Sequence, residues 1–147
     1  MNSLRGLAAL FAGAMLGSSA LSAAEGAALP ASKPEVRREI VAVIEGQLAG
    51  FRDGDGRKAY SFASAELRAQ KPLRVFVAIV RENYPEIWRN QRAEFGLVRD
   101  NAATATVLVH ISGPDGEAAY DYTLVKERAG WRISAVLRHA TGKADQV

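Results

Sequence analysis

Few side chains in this sequence have the types and the spacing that chemistry requires, and the best of them lie in its second half. Asp121, Arg138 and His110 form the strongest group, because strand pairing is expected to bring an acid, a cation and an imidazole together. Such a group can act as an acid–base pair, or it can be a cross-strand ion pair on an exposed face. We predict a structural ion pair of Asp121 and Arg138 on the outer face, because catalytic groups prefer a cleft that excludes water.

The sequence predicts neither a metal site nor a catalytic motif. Asp53-Gly-Asp-Gly56 resembles the start of a calcium loop, but Ser64 stands where the bidentate glutamate belongs, which favours a turn and helix cap. His110 and His139 are expected on opposite faces of a sheet, which separates the two imidazoles of the chain. Cysteine is absent, which excludes disulfides, thiolate ligands and a lipid-modified N-terminal cysteine. We therefore predict no catalytic residue, no metal and no cofactor.

Length and charge exclude further classes of function. The chain has 147 residues, 48% of them hydrophobic and 24% charged, which is typical of one small globular domain. Its formal net charge is +3, and removal of residues 1–24 leaves 18 − 16 = +2. The most basic stretch, residues 81–92, contains three arginines but also two glutamates. A nucleic-acid partner is not expected, because such a partner requires a dense basic face.

The N-terminus has the pattern of a secretory signal peptide. Arg5 supplies a positive start, residues 7–16 are an apolar core, and small residues follow before the next charge at Glu25. We predict cleavage after Ala23 or Ala24 and an exported product, periplasmic or secreted. The alternative, an uncleaved membrane anchor, is disfavoured because glycines and serines interrupt the stretch and a span requires about 20 strongly apolar residues.

Four segments are predicted along the chain. They are a signal peptide over residues 1–24, a short linker over residues 25–31, a single domain over residues 32–140 and a flexible C-terminal tail over residues 141–147. No internal repeat and no second linker divides the domain. We expect no contact with a membrane after the signal peptide is removed.

Three helices are predicted at the start of the domain. Ser32-Lys-Pro-Glu35 has the residues of a capping box, and apolar residues then recur at spacings of three and four up to residue 51. Asp55 can cap a second, short helix. Pro72 opens a third helix, and we expect Pro85 to break it.

Four strands are predicted after the helices, because the apolar period changes to two at Arg92. The later strands cover residues 104–111, 118–127 and 131–139, with turn residues between them. Helices followed by an antiparallel meander indicate the α+β class, with the helices packed on one face of a curved four-stranded sheet.

The first hairpin register follows from its turn. If Pro114-Asp115 are the central turn residues, Tyr120 faces Val109 and Tyr122 faces Val107 across the ladder. This register places both tyrosines on the apolar side of the sheet, which must face the helices.

The register of the second hairpin is predicted in the same way. With Ala129-Gly130 as the central residues, Tyr122 faces Leu137 and Leu124 faces Ala135. The two registers together assign to the inner face Ala105, Val107, Val109, Ile111, Tyr120, Tyr122, Leu124, Ile133, Ala135 and Leu137. The outer face then carries Thr106, Leu108, His110, Asp121, Thr123, Val136 and Arg138. A shift of one residue would mix these sets, so their clean separation supports the register.

Several short stretches carry a resemblance to a known family: Ile44-Glu-Gly-Gln-Leu-Ala-Gly-Phe51, Ala59-Tyr-Ser-Phe-Ala-Ser64, Arg81-Glu-Asn-Tyr84, Ala93-Glu-Phe-Gly96, Tyr122-Thr-Leu and Trp131-Arg-Ile. They resemble an exported bacterial family, domain of unknown function 4864, in the nuclear-transport-factor-2-like (cystatin-like) superfamily. The resemblance covers residues 36–138 and implies a cone-like fold. Its motifs are of the packing type, and the family supplies no activity.

Three hypotheses about function remain open, and we favour the first, an exported non-catalytic module whose cone binds a small, largely apolar ligand. The second is a structural module that forms a homodimer through the outer sheet face. The third is an isomerase, dehydratase or hydrolase that uses His139 with Tyr120; enzymes of the superfamily place an acid or a histidine inside the cone, and no inward carboxylate is identified here. The candidate pocket residues are Tyr60, Tyr84, Trp88, Tyr120, Tyr122 and His139.

Overall fold

The structure, a computed structural model, describes residues 29–140. The predicted signal peptide, the first part of the predicted linker and the predicted C-terminal tail lie outside the described residues. In the described part of the chain, five helices precede five strands. The helices are α1 Pro34–Arg52, α2 Gly56–Tyr60, α3 Ala65–Gln70, α4 Leu73–Asn83 and α5 Pro85–Trp88. The strands are β1 Arg92–Phe95, β2 Arg99–Asp100, β3 Thr104–Gly113, β4 Gly116–Glu127 and β5 Gly130–Arg138.

Helix α1 buries the predicted apolar stripe, including Ile40 and Ile44, but it begins differently from the expectation. Its N-cap is Lys33, and no side chain caps the first turn. The hydroxyl of Ser32 instead donates to Asp100, so the predicted capping box is not formed. Pro34 at the first helical position provides the start, because its fixed φ suits that position.

Two short helices were not expected from the sequence. In α3 the hydroxyl of Ser64 accepts from the backbone N–H of Leu67. Pro85 ends the predicted third helix, as expected, but also starts α5. The predicted cap of α2 is confirmed, since Asp55 accepts from the N–H of Lys58 at 3.0 Å.

The described strands form one antiparallel sheet in the order β1-β3-β4-β5, with β2 also paired to β3. The α+β class, helices first and an antiparallel sheet second, is therefore confirmed. The sheet has five strands rather than four, because β2 is a separate strand of two residues. Leu97, which continued the predicted alternation of β1, lies outside the strands and is exposed.

The end of the predicted linker packs against the edge of this sheet. Ala31 forms an isolated antiparallel bridge with Arg99. Arg99 Nη1 donates to the carbonyl oxygen of Leu29 at 2.8 Å, and the side chain of Leu29 is buried. Residues 29–31 therefore belong to the folded unit.

The first long hairpin has the predicted register. Tyr120 faces Val109 and Tyr122 faces Val107, and all four side chains are buried on the helix side of the sheet. Gly113 allows the turn to approach α5 closely, since a Cβ at this position would lie 2.5 Å from the carbonyl oxygen of Arg89.

The second hairpin begins with a different turn. Its last pair before the turn is Glu127 with Gly130, so that Leu124 faces Ile133 rather than Ala135. The displacement of two residues keeps Leu124 and Ile133 on the predicted inner face, because side chains alternate with a period of two.

A β-bulge then inserts one extra residue into β5 and overturns the predicted faces beyond it. Tyr122 pairs with Val136 rather than Leu137, and Tyr120 pairs with Arg138. A shift of one residue exchanges the two sides of a strand. Val136, predicted outside, is therefore buried, whereas Leu137, predicted inside, is 38% exposed.

The core lies between the inner face of the sheet and the helices. Helix α1 contacts β5, and α5 contacts both β3 and β4. The largest fully buried side chains are Tyr120, Tyr122, Phe76, Ile40, Ile44, Leu48, Ile87, Ile111, Leu124 and Ile133. None of the described helices is long and apolar enough to cross a membrane.

Candidate functional site

The bulge in β5 turns Arg138 toward the helices, where it meets Glu86 of α5. Arg138 Nη2 donates to Glu86 Oε1 at 3.0 Å, and Tyr120 Oη donates to the same oxygen at 2.6 Å. The predicted ion pair of Asp121 with Arg138 is therefore wrong, and so is the expectation that the inner face has no carboxylate. We define the inner-face cluster as Glu86, Tyr120, Tyr122 and Arg138.

The cluster is charged although it adjoins the core. Burial raises the pKa of Glu86, but hydrogen bonds from Tyr120, from its own backbone and from Arg138, with the charge of Arg138, outweigh burial and hold the pKa below its ordinary value. Burial lowers the pKa of Arg138, and the adjacent Tyr120 and Glu86 more than compensate. Burial and the bond to Glu86 raise the pKa of Tyr120. At neutral pH the cluster thus holds a carboxylate, a guanidinium and an un-ionised phenol.

Tyr122 differs from Tyr120 in one respect that matters for binding. Its side chain is fully buried, and its hydroxyl has no hydrogen-bond partner among residues 29–140. Burial raises the pKa of Tyr122, so the group is an O–H donor at neutral pH. Because Tyr122 lies two residues after Tyr120 on the same face, a satisfied hydroxyl and an unsatisfied one are neighbours.

Tyr84 forms an aromatic wall of the same region. Its ring centroid lies 5.9 Å from that of Tyr120, and its side chain is buried. Burial raises the pKa of Tyr84, with a smaller opposing effect of Arg138. Tyr84 and Tyr120 are thus in ring contact, and Tyr122 lies on the same face of the sheet as Tyr120; that the three residues line a pocket stays a prediction.

Tyr60 and Trp88 lie in other surroundings. Tyr60 Oη donates to the carbonyl oxygens of Lys71 at 2.7 Å and Arg68 at 3.0 Å, which fixes the connection after α3. Trp88 packs against Phe51, with ring centroids 5.8 Å apart. These contacts place neither residue in the inner-face cluster.

His139 pairs with Asp121 on the outer face. Its Nδ1 lies 2.7 Å from Asp121 Oδ2, and both side chains are about half exposed. His110 of β3 is paired with Ala119 of β4. On the other edge of β4, the backbone N–H of His139 donates to the carbonyl oxygen of the same Ala119. Both histidines therefore lie on one face, contrary to the prediction, and His139 does not join Tyr120.

The outer face offers a polar groove but no metal site in the described chain. A groove of about 390 Å³ is lined by Arg92, Glu94, His110, Ile111, Ser112 and Glu117. Arg92 and Glu94 form an exposed ion pair at 3.0 Å, so charges of both signs compensate each other there. Within residues 29–140 no group of three histidine, cysteine, aspartate or glutamate side chains is arranged to hold a metal ion.

Sequence reasoning missed Glu86, although the sequence contained a signal for it. A proline followed by an acid is a common start of a helix, and Pro85-Glu86 has this pattern. At the level of composition, Glu86 counts only as one of the two negative charges in the basic stretch of residues 81–92. The other partner, Arg138, could not be placed, because no residue pattern indicated the bulge that reverses its direction.

Comparison with known proteins gives one family and no described relative. No curated protein and no solved structure matches the chain. The family described as a domain of unknown function (DUF4864) matches residues 33–144, which include every residue of the inner-face cluster. On the evidence of this match over most of its length, the chain belongs to the DUF4864 family.

Proposed function

We propose that the domain is a non-catalytic module that binds a small, largely apolar molecule with one hydrogen-bond-accepting group at the inner-face cluster. The observation that carries the proposal is the Tyr122 hydroxyl, which is buried and has no partner among residues 29–140. The large majority of buried side-chain polar atoms in proteins have a hydrogen-bond partner, and an unsatisfied one costs about 1–3 kcal/mol. A ligand acceptor that reaches this hydroxyl recovers that cost on binding.

The surroundings of the hydroxyl favour an apolar ligand body. Tyr84 and Tyr120 provide aromatic surface, with their rings tilted by 36°, and Val107 and Val136 flank Tyr122 across the two ladders. Aromatic and aliphatic walls with a few fixed polar groups are the usual composition of small-molecule sites. The polar groups here are the unsatisfied Tyr122 donor and the ion pair.

Arg138 is the side chain of the inner-face cluster that can move to admit a ligand. Its side chain is 48% exposed, and its guanidinium carbon lies 5.1 Å from the centroid of the Tyr120 ring, over the ring face. A long, half-exposed side chain can rotate into water, and a ligand then has to compensate for the lost ion pair with Glu86. Rotation of Arg138 would uncover Tyr120 and Glu86, the two cluster residues beneath it.

The electrostatics favour binding over catalysis. The lowered pKa of Glu86 makes its carboxylate a weak base at neutral pH, whereas a general base works best with a pKa near the working pH. Both hydrogen bonds to Oε1 are already made by Tyr120 and Arg138. The isomerase, dehydratase or hydrolase alternative also lacks its His139–Tyr120 pair, because His139 lies on the outer face.

We also propose the cone-like arrangement of the nuclear-transport-factor-2-like superfamily for this domain. Its support is the order of the elements, helices first and an antiparallel meander second, with α1 and α5 against the sheet. The bulge in β5 supports a curved sheet, since bulges bend strands and increase their twist. An experimental structure with a flat sheet would contradict this arrangement.

Export is proposed on the N-terminal pattern alone. Cleavage after Ala23 or Ala24 would leave intact the segment from Leu29 onward that packs on the sheet. Intact mass spectrometry of the protein expressed with its leader should give a mature N-terminus at Ala24 or Glu25. A full-length mass in a fraction that requires detergent would contradict export.

The ligand proposal is tested by a thermal-shift screen of uncharged and singly charged metabolites, followed by hydroxyl deletion. We expect hits that raise the melting temperature of the native protein and lose this effect in Tyr122→Phe. Trp131→Phe is the matched control, because Trp131 Nε1 is also buried without a partner among the described residues but lies near the other end of β5.

Two outcomes would contradict the proposal. A hit that stabilises Tyr122→Phe as strongly as the native protein does not use the hydroxyl. Absence of any hit, together with an experimental structure in which a fixed water accepts from Tyr122, would assign the hydroxyl to solvent instead.

A further inference from the structure

A second groove lies on the helix side of the molecule and is lined by positive charges only, whereas the outer-face groove has charges of both signs. It has a volume of about 370 Å³ and lies where the end of α1, the end of α5 and the β3–β4 turn meet. Its lining residues are Phe51, Arg52, Gly54, Trp88, Arg89, Asn90, Gln91 and Pro114. The charged side chains among them are two arginines, and no member of the inner-face cluster belongs to the set.

Arg52 is held in position by a neutral group rather than by an acid. Its Nη1 donates to Asn90 Oδ1 at 2.6 Å. Asn90 is 1% exposed, and its Nδ2 donates to the carbonyl oxygens of Leu48 at 2.9 Å and Ile87 at 2.8 Å. The amide orientation is thereby fixed, and with it the direction of the guanidinium. No carboxylate of residues 29–140 forms a salt bridge with Arg52, so its positive charge is left for a ligand.

Two aromatic side chains and a second, partly neutralised cation also line the groove. The rings of Phe51 and Trp88 are 5.8 Å apart, and Trp88 is half-buried. Arg89 Nε contacts Asp115 Oδ2 at 3.2 Å at the rim. A guanidinium has five N–H donors in a plane, which matches the two oxygens of a carboxylate. The Trp88 indole contacts Phe51 and has the guanidinium carbon of Arg81 5.8 Å from its ring centroid, and it also lines the groove, where a flat ring can pack against it.

We propose that this groove binds a small planar organic anion, an aromatic carboxylate, through its negative group on Arg52 and its ring against Trp88. The volume is in the range of small-molecule sites, roughly 300–1,000 Å³. A fixed guanidinium without an acidic partner, aromatic side chains beside it and a groove of this size are the three features that select the ligand class. The inference is independent of the proposed inner-face ligand, since the two sites share no residue.

The test uses 2-naphthoate as the probe and the fluorescence of Trp88 as the readout. The chain has two tryptophans, so Trp131→Phe leaves Trp88 as the reporter. We expect saturable quenching by 2-naphthoate in this background, and binding at least tenfold weaker for 2-naphthalenemethanol, which has the same ring without the charge. In Arg52→Met the dissociation constant for 2-naphthoate should rise at least tenfold, with little change in the remaining affinity for the alcohol.

Arg128→Met is the control for general loss of positive charge, because Arg128 is exposed in the β4–β5 turn and outside the groove. This variant should bind 2-naphthoate within twofold of the background protein. Equal affinity of the acid and the alcohol in the native groove would overturn the proposal without any variant. An unchanged dissociation constant in Arg52→Met, or absence of saturable binding, would also overturn it.

Discussion

Two ion pairs lie at the same end of β4 and β5 but on opposite faces of the sheet. On the inner face, Arg138 reaches Glu86, whose side chain is 11% exposed and also accepts from Tyr120. On the outer face, His139 reaches Asp121, and both side chains are about half exposed. Side chains point alternately to the two faces of the sheet along each strand. A shift of one residue in the strand pairing would therefore exchange the pair that is shielded from water with the pair that is exposed to it. From this comparison we expect the burial of the acid, rather than the distance between the two side chains, to decide how much each pair contributes to the free energy of unfolding.

The largest effect is expected from Arg138→Met. The substitution leaves the Glu86 carboxylate without its cation in a nearly buried position, where an unpaired charge is expensive. Loss of a fully buried pair partner costs about 3–5 kcal/mol, and the half-exposed position of Arg138 reduces our expectation to about 2 kcal/mol. Urea denaturation measures the change in the free energy of unfolding.

A double-mutant cycle with Glu86→Gln sharpens this result. The two substitutions together should destabilise the protein by less than the sum of the single effects, because the double variant holds no orphaned charge. Arg92→Met is the control, since Arg92 and Glu94 form an exposed pair and should contribute within about 0.5 kcal/mol. Additive effects of Arg138→Met and Glu86→Gln would show that the inner pair is not coupled.

The pH dependence of stability should also distinguish the inner pair. The pKa of Glu86 is lower in the folded protein than its ordinary value of 4.5. Its charge therefore stabilises the fold fully above that value, and this contribution is lost as the pH falls through the folded-state pKa. Urea denaturation between pH 7 and 3 should show the native protein and Glu86→Gln becoming more alike in stability as the solution is acidified. If the difference in the free energy of unfolding between the native protein and Glu86→Gln stays constant from pH 7 to pH 3, the lowered pKa of Glu86 is contradicted.

The sequence was sufficient for those parts of the fold that local patterns determine. The period of 3.6 predicted α1 and α4, the period of two predicted the strands, and Pro114-Asp115 predicted the register of the first hairpin. In each case the residues that form the element are neighbours in sequence, so that their apolar period or their turn residues indicate the element directly. One-turn helices such as α5 are too short to show a period.

The candidate site was less predictable, because it depends on the bulge in β5. The turn predicted at Ala129-Gly130 is wrong, and the strand pairing after it is displaced by two residues. Because side chains alternate with a period of two, Ile133 still lies on the inner face. The extra residue at the bulge then exchanged the faces of Arg138 and His139. No proline or glycine marks this bulge in the sequence, since its residues are Ser134 and its neighbours. The one predicted ion pair, Asp121 with Arg138, therefore has the wrong partner for each of its two residues.

A smaller effect is expected at the two tyrosines, which share a face but differ in their hydrogen bonding. Tyr120→Phe removes a donor to the Glu86 carboxylate and should destabilise the protein by about 1–2 kcal/mol. Tyr122→Phe removes a buried hydroxyl that has no partner among the described residues and should stabilise the protein by about 1 kcal/mol, because the cost of the unsatisfied group is relieved. Thermal and urea denaturation of the two variants, without added ligand, measures the difference. A loss of about 2 kcal/mol or more in Tyr122→Phe would reveal a hydrogen bond at this hydroxyl.

The smallest effect is expected at the outer pair. Asp121→Asn keeps the size of the side chain and an oxygen that can accept from His139 Nδ1, and removes only the charge. Because both side chains are about half exposed, water screens their attraction, and the loss should be on the order of 0–1 kcal/mol. Denaturation at 0.05 M and 0.5 M sodium chloride should show even less difference from the native protein at the higher salt concentration. A loss above about 3 kcal/mol, insensitive to salt, would mean that the outer pair is shielded from water, and the contrast with the inner pair would fail.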